Sequence, residues 1–141
     1  MKGSYVLIIK VSKPFRARIG ALGKLSFKRG YYCYIGSAMG KSVSLEKRIA
    51  RHLRKRKKLR WHIDYLLAKN EANVTMVLIF KSETRLECEL SKKLAQQASE
   101  SVRGFGSSDC NCESHLHYFA SFEKLKRALT TFSDFFDEGY E

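Results

Sequence analysis

Two side chains on one predicted helix have the residue types that phosphate chemistry requires. Apolar residues recur every four positions within residues 44–57, a spacing that predicts an amphipathic helix. Arg48 and His52 are also four residues apart, so they lie on one stripe beside Leu45. The planar guanidinium of arginine suits phosphate oxygens better than a lysine ammonium does. Two alternatives stay open: Arg48 as part of a solvated basic face, and His52 as a half-buried structural histidine.

Glu87 is the carboxylate best placed to bind a metal. Leucines recur every four residues on a helix predicted from about Arg85 to Ala98, and Glu87 falls within their apolar arc whereas Glu89 points outward. A single carboxylate with water and phosphate oxygens suits Mg²⁺ or Mn²⁺, which keep much of their hydration shell. The alternative is a capping box, because Thr84 and Glu87 fit the T-x-x-E pattern in which the glutamate bonds back to the cap backbone.

The positive charge is concentrated in the first half of the chain. The 141 residues carry a net charge of +13, but residues 1–60 alone carry +17 and the remaining 81 residues carry −4. Half of the residues in 41–60 are Lys or Arg. Such a dense block favours a polyanionic partner, because lysine and arginine release counterions when they neutralise phosphates. A solvated, solubilising helix face is the alternative.

Composition excludes several classes of protein. A hydrophobic content of 44% with 12% aromatic residues excludes a disordered chain, and the nine Gly and single Pro exclude a collagen-like one. The longest apolar stretch, residues 76–80, is far shorter than the roughly 20 residues of a membrane span. No signal peptide is recognisable, so the four cysteines are expected to be reduced thiols. We therefore predict a cytoplasmic protein that does not bind membranes.

The hydrophobic pattern predicts a single domain with a small sheet. Residues 1–141 form this domain, with a core from about 3 to 120 and a helical, acidic tail from about 121 to 141. The first two strands should form an antiparallel pair around a long loop, residues 12–30, which has room for a short strand near 25–27. The third strand is almost wholly apolar and should be central or covered on both faces. The predicted strands are Tyr5–Val11, Tyr31–Ile35, Val74–Phe80 and Leu116–Ala120, and further helices cover Trp61–Leu67 and begin near Phe122.

An ordered set of motifs resembles the GIY-YIG nuclease superfamily. Tyr34-Ile35-Gly36 is followed by a helix with Arg48 and His52, like the Y-I-G strand and R-x-x-x-H helix of that superfamily. The first motif would be Gly3-Ser4-Tyr5, with serine in place of the usual isoleucine. From Gly3 to about Phe119 the chain is similar to a prokaryotic branch of GIY-YIG-like domains that stand alone or are fused to endonuclease-III-type DNA glycosylases. The segments that indicate this branch are Tyr34-Ile35-Gly36-Ser37-Ala38, Arg51-His52, Trp61-His62-Ile63-Asp64-Tyr65, Glu87-Cys88 and Phe105-Gly106-Ser107-Ser108-Asp109-Cys110.

The resemblance implies both a fold and an activity. The fold would be a small α/β domain, with a mostly antiparallel sheet of three or four strands flanked by helices. The activity would be that of a metal-dependent DNA endonuclease in DNA repair, with one Mg²⁺ or Mn²⁺, acting on duplex or branched DNA and possessing a glycosylase partner. The alternative is a non-catalytic nucleic-acid-binding module, which Ser4 and the long loop favour. The implied catalytic residues are Tyr5, Tyr34, Arg48, His52 and Glu87, with Glu87 as the metal ligand.

Other residues have several interpretations. In isolation Tyr5 and Tyr34 would be ordinary strand aromatics, whereas the resemblance implies that they orient or deprotonate the attacking water, with nearby cations stabilising the phenol. His62 and Asp64 could complete the site, orient His52 or fix the short helix, and Trp61 is expected to pack in the core. The residues expected to contact the nucleic-acid backbone are Arg51, Arg54, Lys55, Arg56, Lys57, Lys58 and Arg60.

A group of cysteines and histidines suggests zinc, but its spacing argues against it. Cys110, Cys112, His115 and His117, with Cys88 upstream, have the side chains that zinc prefers. Alternate residues in C-x-C and H-x-H lie too close for an easy tetrahedral site. We therefore expect no structural zinc, buried cysteines near one end of the second helix, and the two histidines on one face of a strand. A zinc-stabilised interaction domain using the tail from Phe132 to Tyr140 is the weakest alternative.

Overall fold

The computed structural model describes residues 1–40, 43–107 and 110–132. Five of its strands form one sheet in which all paired neighbours are antiparallel. The strands in chain order are β1 (Gly3–Val11), β2 (Phe15–Arg18), β3 (Lys24–Phe27), β4 (Gly30–Ala38), β5 (Ala72–Lys81), β6 (Glu100–Ser101) and β7 (Leu116–Phe119). The main sheet has the order β5-β1-β4-β7-β6. The predicted α/β fold with a mostly antiparallel sheet is confirmed, although the sheet has five strands instead of three or four.

Four helices cover the two faces of this sheet. They are α1 (Leu45–Leu53), α2 (His62–Leu67), α3 (Glu87–Gln97) and α4 (Phe122–Thr130). Successive side chains of a strand point to opposite faces, so β1 contributes to two cores. Tyr5, Leu7 and Ile9 pack with α1 and α2, whereas Val6 and Ile8 pack with α3 and α4. The site residues on β1 and on α3 therefore start from opposite layers of the molecule.

The long connection between β1 and β4 folds into a structure of its own. Strands β2 and β3 pair as a separate two-stranded sheet, joined through a single 3₁₀ turn at Gly20–Leu22. The predicted short strand near 25–27 is confirmed, and its partner β2 was not predicted. Phe27 stacks on Phe15 and meets Tyr32 edge-on, so this small sheet adds to the core beneath α2.

The prediction that the third strand is central was wrong. Strand β5 lies at the end of the sheet beside β1, and its side chains at Met76 and Ile79 are exposed. An apolar run identifies a strand, but it does not determine which neighbours that strand acquires. The first helix also ends four residues earlier than predicted, at Leu53, because the basic segment that follows turns back over its carboxyl end.

The last predicted elements agree with the structure as far as it describes them. Strand β7 and helix α4 begin at or near their predicted positions, Leu116 and Phe122. The part of the acidic tail from 133 to 141 lies outside the described residues, as do residues 41–42 and 108–109. Within the described part of the chain, every helix is too short or too polar to cross a lipid bilayer.

Candidate active site

The first two strands bring the predicted tyrosine motifs side by side. In the β1–β4 pair Tyr5 lies opposite Gly36, so the two motifs meet at the same end of the sheet. A Cβ atom at position 36 would lie 2.5 Å from Tyr5 Oη, and only glycine leaves room for the phenol. Gly3 has φ 154°, and a Cβ there would collide with the Phe80 carbonyl oxygen. Both glycines are therefore required by close approach of the backbone to a neighbour.

Tyr5 and His52 form a short hydrogen bond in the buried part of the site. Tyr5 Oη lies 2.6 Å from His52 Nε2, and the two side chains come from β1 and α1. Burial, followed by the charge of Lys57, lowers the pKa of His52 to about 3, so its imidazole is neutral at pH 7. In the tautomer with its proton on Nδ1, His52 accepts the phenol hydrogen bond of Tyr5 at Nε2.

Burial also keeps the two site phenols protonated. It raises the pKa of Tyr5 well above its usual value, and it raises that of Tyr34 as well. Arg48 acts in the opposite direction on both phenols, but its charge is outweighed by desolvation. The cation Arg48 therefore has less influence on these phenols than burial does. Tyr5 and Tyr34 are suited to hold a water molecule through hydrogen bonds, not to act as resident anions.

Arg48 approaches the same end of the sheet from α1. Its Nη1 donates to the Ser37 carbonyl oxygen at 2.9 Å, and its guanidinium lies 4.9 Å from the centre of the Trp61 ring. Among the described residues, Arg48 Nε and His52 Nδ1 are the two buried side-chain polar atoms without a hydrogen-bond partner. A buried donor without a partner costs about 1–3 kcal/mol, so such atoms indicate where a polar ligand fits.

Glu87 reaches the site from the opposite layer. Its Oε1 accepts hydrogen bonds from Ser37 Oγ and Arg85 Nη1, both at 3.0 Å. The alternative considered for Glu87, a capping box at Thr84, is not formed, because α3 begins after Leu86, whose N–H donates to Ser4 Oγ at 3.2 Å. Ser4, one residue before Tyr5 on β1, thus holds the start of the helix that carries Glu87.

Ser37 joins the two layers of the site and was not recognised from the sequence. Its side chain donates to Glu87 from α3, and its carbonyl oxygen accepts from Arg48 on α1. The position directly after Tyr34-Ile35-Gly36 was the available signal, since alternation along β4 turns residue 37 away from Tyr34. Tyr5, Arg48 and Glu87 meet at the Gly36-Ser37 end of the β1–β4 pair, and His52 bonds to Tyr5. Tyr34 lies at the middle of the pair, opposite Leu7, with its ring centre 6.0 Å from that of His52.

A metal ion fits Glu87 better than it fits the tyrosines. The Glu87 side chain is 16% exposed, and Oε2 lies 3.8 Å from His115 Nδ1, beyond hydrogen-bonding distance. The Arg85 partner of the other oxygen is on the surface and 67% exposed, so this ion pair is weak and easily displaced. One accessible carboxylate oxygen of this kind suits Mg²⁺ or Mn²⁺ with most of its waters retained.

Three of the predicted DNA-contacting cations form hydrogen bonds with other parts of the protein. Arg51 donates to both carboxylate oxygens of Asp64 at 2.9 Å and stacks 4.5 Å from the Trp61 ring centre. Lys55 Nζ donates to three backbone carbonyl oxygens between residues 67 and 72. Lys57 Nζ donates to the carbonyl oxygens of Arg51 and His52, and burial lowers its pKa to about 8. We therefore leave Arg51, Lys55 and Lys57 out of the DNA-contacting set.

The remaining cations surround a groove beside the site. It has a volume of about 440 Å³ and runs along α1 past the Trp61 ring. Trp61 was expected in the core, but it is half-buried between the guanidiniums of Arg48 and Arg51. Two further predicted contacts, Arg56 and Lys58, are exposed on the segment after α1. The groove is lined by Val43, Lys47, Arg48, Ala50, Arg51, Arg54, Arg60 and Trp61.

His62 and Asp64 fix the scaffold around the site. His62 Nδ1 accepts from the Gly106 N–H at 2.9 Å, and its ring packs against Phe105. Asp64 Oδ2 accepts from the backbone N–H groups of Arg60 and Trp61, so it holds the start of α2 as well as Arg51. Of the alternatives left open by the sequence, the structure favours a positioning role for both residues.

A second group of possible metal ligands lies near Glu87. The sulfur atoms of Cys88, Cys110 and Cys112 and a ring nitrogen of His115 all lie within 4.8 Å of one another. These cysteines are half-buried and carry free thiols. The H-x-H part of the spacing argument against zinc does not apply to this set, because His117 is not in it. Cys110 and Cys112 keep their C-x-C spacing, and Cys88 comes from another element. His117 lies two residues after His115, on the same side of the chain. Its ring nitrogens form hydrogen bonds with Ser91 and Ser101 instead.

Comparison with known proteins gives a family. A family model described as a domain of unknown function, DUF123, matches residues 4–137. No match was found among curated proteins, and none was found among solved structures. Because the matched region extends over nearly the whole chain, this protein belongs to the DUF123 family of domains of unknown function.

Proposed function

We propose that the protein is a metal-dependent endonuclease that hydrolyses phosphodiester bonds in DNA, with a role in DNA repair. One observation carries the proposal: the Tyr5–His52 pair, Arg48 and Glu87 converge on the strand end at Gly36-Ser37. Phosphodiester hydrolysis needs a proton acceptor, a cation at the phosphate and a carboxylate that holds a metal. This arrangement supplies all three from different elements.

The buried unpartnered atom of Arg48 supports phosphate binding. A phosphate oxygen beside Arg48 Nε would give this donor the partner that the protein does not provide. The stacking of Arg48 on Trp61 holds the guanidinium plane in one orientation, which favours recognition of a planar pair of oxygens. The basic groove along α1 would then hold the neighbouring part of the DNA backbone.

The Tyr5–His52 hydrogen bond supports a path for the proton of the attacking water. The water held by Tyr5 and Tyr34 would lose a proton to Tyr5 Oη as the phenol proton passes to His52 Nε2. The water oxygen forms a bond to phosphorus, the ester bond to the leaving oxygen breaks, and the leaving oxygen takes up a proton from solvent. Cations lower the pKa of His52, and a bound phosphate anion would oppose them.

Glu87 would hold the metal ion. When bound there, Mg²⁺ or Mn²⁺ would stabilise negative charge on the phosphate and the leaving oxygen. Ser37 keeps the Glu87 carboxylate facing the strand end through its hydrogen bond to Oε1. The other oxygen, Oε2, has no comparably short contact, since His115 Nδ1 is 3.8 Å away.

The experiment compares cleavage by the wild type, Glu87→Gln and Glu89→Gln. Duplex, flap, branched and supercoiled DNA are incubated with Mg²⁺, with Mn²⁺ or with excess chelator. We expect metal-dependent cleavage by the wild type and by Glu89→Gln, because Glu89 is exposed on the same helix and away from the site. Glu87→Gln has almost the same shape but lacks the charge, so cleavage should fall by at least about 100-fold. Equal activity of all three proteins would refute the assigned metal ligand.

One observation favours the non-catalytic alternative, a nucleic-acid-binding module. Both site phenols are held protonated by burial, so the unbound protein has no anionic base beside the proposed water position. Tight, salt-sensitive binding without cleavage of any substrate would establish this alternative. The glycosylase partner and the choice between duplex and branched DNA remain predictions, and the same substrate series distinguishes the two DNA structures.

A further inference from the structure

Four side chains with soft or borderline ligand atoms converge outside the proposed catalytic site. They come from three parts of the chain: Cys88 from the first turn of α3, Cys110 and Cys112 from the connection between β6 and β7, and His115 from the residue before β7. Their ligand atoms lie within 4.8 Å of one another, and Cys110 Sγ is 3.4 Å from His115 Nε2. No function has been assigned above to any of the three thiols.

We propose that Cys88, Cys110, Cys112 and His115 form a structural zinc site. Zinc in structural sites is tetrahedral, and Cys₃His is one of its common ligand sets. With Zn–S bonds of about 2.3 Å and Zn–N bonds of about 2.0–2.1 Å, tetrahedral ligand atoms are about 3.6–3.8 Å apart. The widest separations, at most 4.8 Å, would shorten by up to about 1 Å in this geometry, and the Cys110 Sγ–His115 Nε2 pair at 3.4 Å would lengthen slightly.

The backbone around the four ligands is already held in place. His115 donates its N–H to the Phe105 carbonyl oxygen at 2.8 Å, and its own carbonyl accepts from Ile35 N–H at 3.0 Å. Leu86, two residues before Cys88, is fixed by its bond to Ser4 Oγ. Two of the three ligand-bearing segments are thus anchored to the main sheet independently of any metal, as a preorganised site requires.

His115 has a carboxylate near its second ring nitrogen, on the side where zinc-bound histidines commonly have a hydrogen-bond partner. Its Nε2 faces the thiols, and its Nδ1 faces the Glu87 carboxylate, with Oε2 3.8 Å away. A carboxylate behind the second ring nitrogen orients a metal-bound imidazole. The zinc site would therefore lie next to Glu87 without sharing a ligand with the proposed Mg²⁺ or Mn²⁺ ion, which prefers oxygen ligands.

The physical role of the zinc would be to fasten the β6–β7 connection to α3. The part of this connection that the structure describes has few apolar side chains, and Asn111 and Glu113 are exposed. A cluster of metal bonds can replace the hydrophobic packing that such a polar segment lacks. This inference does not depend on the proposed endonuclease activity, because it concerns metal content and stability.

The test measures metal in the full chain, purified under reducing conditions without chelators or metal-affinity steps. Elemental analysis should find one zinc per chain, and metal-depleted protein should bind Co²⁺ with the thiolate charge-transfer absorption of a tetrahedral site. Removal of zinc should lower the Tm by about 5 °C or more. Cys112→Ser and His115→Gln should lose the bound zinc.

Two matched variants serve as controls. His117→Gln changes a buried histidine on the same face of β7 that is not in the cluster, and Cys33→Ala removes a buried thiol elsewhere in the core. Both should retain one zinc per chain. The proposal is overturned if reduced wild type takes up neither zinc nor cobalt, or if two of the cluster cysteines prove to be joined by a disulfide in cells. Neither result would bear on DNA cleavage, which is measured separately.

Discussion

At the scale of single residues, the site is defined by polar atoms whose surroundings restrict what they can do. Tyr5 is buried and bonded to His52, so its proton has one short path away from the strand end. Arg48 and His52 each retain a buried nitrogen without a partner in the described structure. Residues left incompletely satisfied in this way are typical of sites that are completed by a ligand.

Tyr5→Phe should abolish most of the cleavage while preserving the fold. The variant loses the hydroxyl that holds the water and leaves His52 Nε2 without a donor, for a stability loss of about 1–3 kcal/mol. General acid–base groups contribute roughly 10²–10⁴-fold, so single-turnover cleavage should slow by at least about 100-fold. Tyr31→Phe is the control, because Tyr31 is on the same sheet but packs against Phe122 on the opposite side. Equal rates for the two variants would exclude a role for the Tyr5 hydroxyl.

His52 should make the protein less stable in mild acid. Its pKa is about 3 in the folded state, below the usual value of about 6.5, so the unfolded chain binds the proton more tightly. The stabilisation is therefore complete above about pH 6.5 and is lost as the pH falls toward 3. Between pH 7.5 and 5 the wild type should lose about 2 kcal/mol more unfolding free energy than His52→Gln, as measured by urea denaturation. Parallel pH profiles for the two proteins would show that His52 is not buried as a neutral group.

At the scale of the elements, the basic residues between 51 and 60 fall into two groups, one bonded within the protein and one exposed to solvent. Arg51, Lys55 and Lys57 hold the end of α1, the start of α2 and the end of the chain segment before β5. The exposed cations between and around them are available to solvent and ligands. A dense run of Lys and Arg in a sequence therefore cannot be assigned as a whole to nucleic-acid binding.

Arg51→Ala should destabilise the fold strongly. Burial alone would raise the pKa of Asp64, but Arg51 and two backbone N–H groups hold it below its usual value, so the carboxylate is charged. Asp64 is fully buried, and removal of its cation should cost about 3–5 kcal/mol in unfolding free energy. Arg54→Ala on the same helix should change stability by less than about 0.5 kcal/mol, since Arg54 is exposed. If both variants were equally stable, the ion pair would be of no structural importance.

At the scale of the whole molecule, the basic groove and the proposed metal ligand Glu87 come from different layers. Helix α1 and the basic groove lie on one face of the sheet, whereas α3 and α4 cover the other face. Glu87 reaches the site from the second layer at the strand end, where Ser37 contacts both layers. DNA would therefore be held on one face and processed at the end of the sheet.

Removing groove cations should reduce the salt dependence of DNA binding. Each lost phosphate contact lowers the magnitude of the slope of log K against log salt concentration by about 0.9. Arg54→Gln combined with Arg60→Gln should therefore lower it by up to about 1.8, in fluorescence anisotropy titrations with duplex DNA. Lys126→Gln combined with Arg127→Gln on α4 removes the same charge from the opposite face and should leave the slope unchanged. Equal effects of both pairs would indicate that the net charge alone governs binding.

The sequence by itself determined the long strands of the main sheet and the approximate positions of the helices. Periodicity is a local property, so it identified β1, β4, β7, α1 and α3 within a few residues. The resemblance of their motifs to a known superfamily, not periodicity, implied that Tyr5, Tyr34, Arg48, His52 and Glu87 act together. The convergence of Tyr5, Arg48 and Glu87 on one strand end agrees with that hypothesis, whereas their activity has yet to be measured.

Only the tertiary structure decided which polar side chains form hydrogen bonds or ion pairs within the protein. The edge position of β5, the internal bonds of Arg51, Lys55 and Lys57, and the bridge made by Ser37 all depend on contacts between distant parts of the chain. The Cys88 ligand lies 22 residues before Cys110 in the sequence, and spacing within the C-x-C segment could not show that α3 brings it close. Burial, pairing and pKa depend on neighbours in space, and residue spacing does not specify those neighbours.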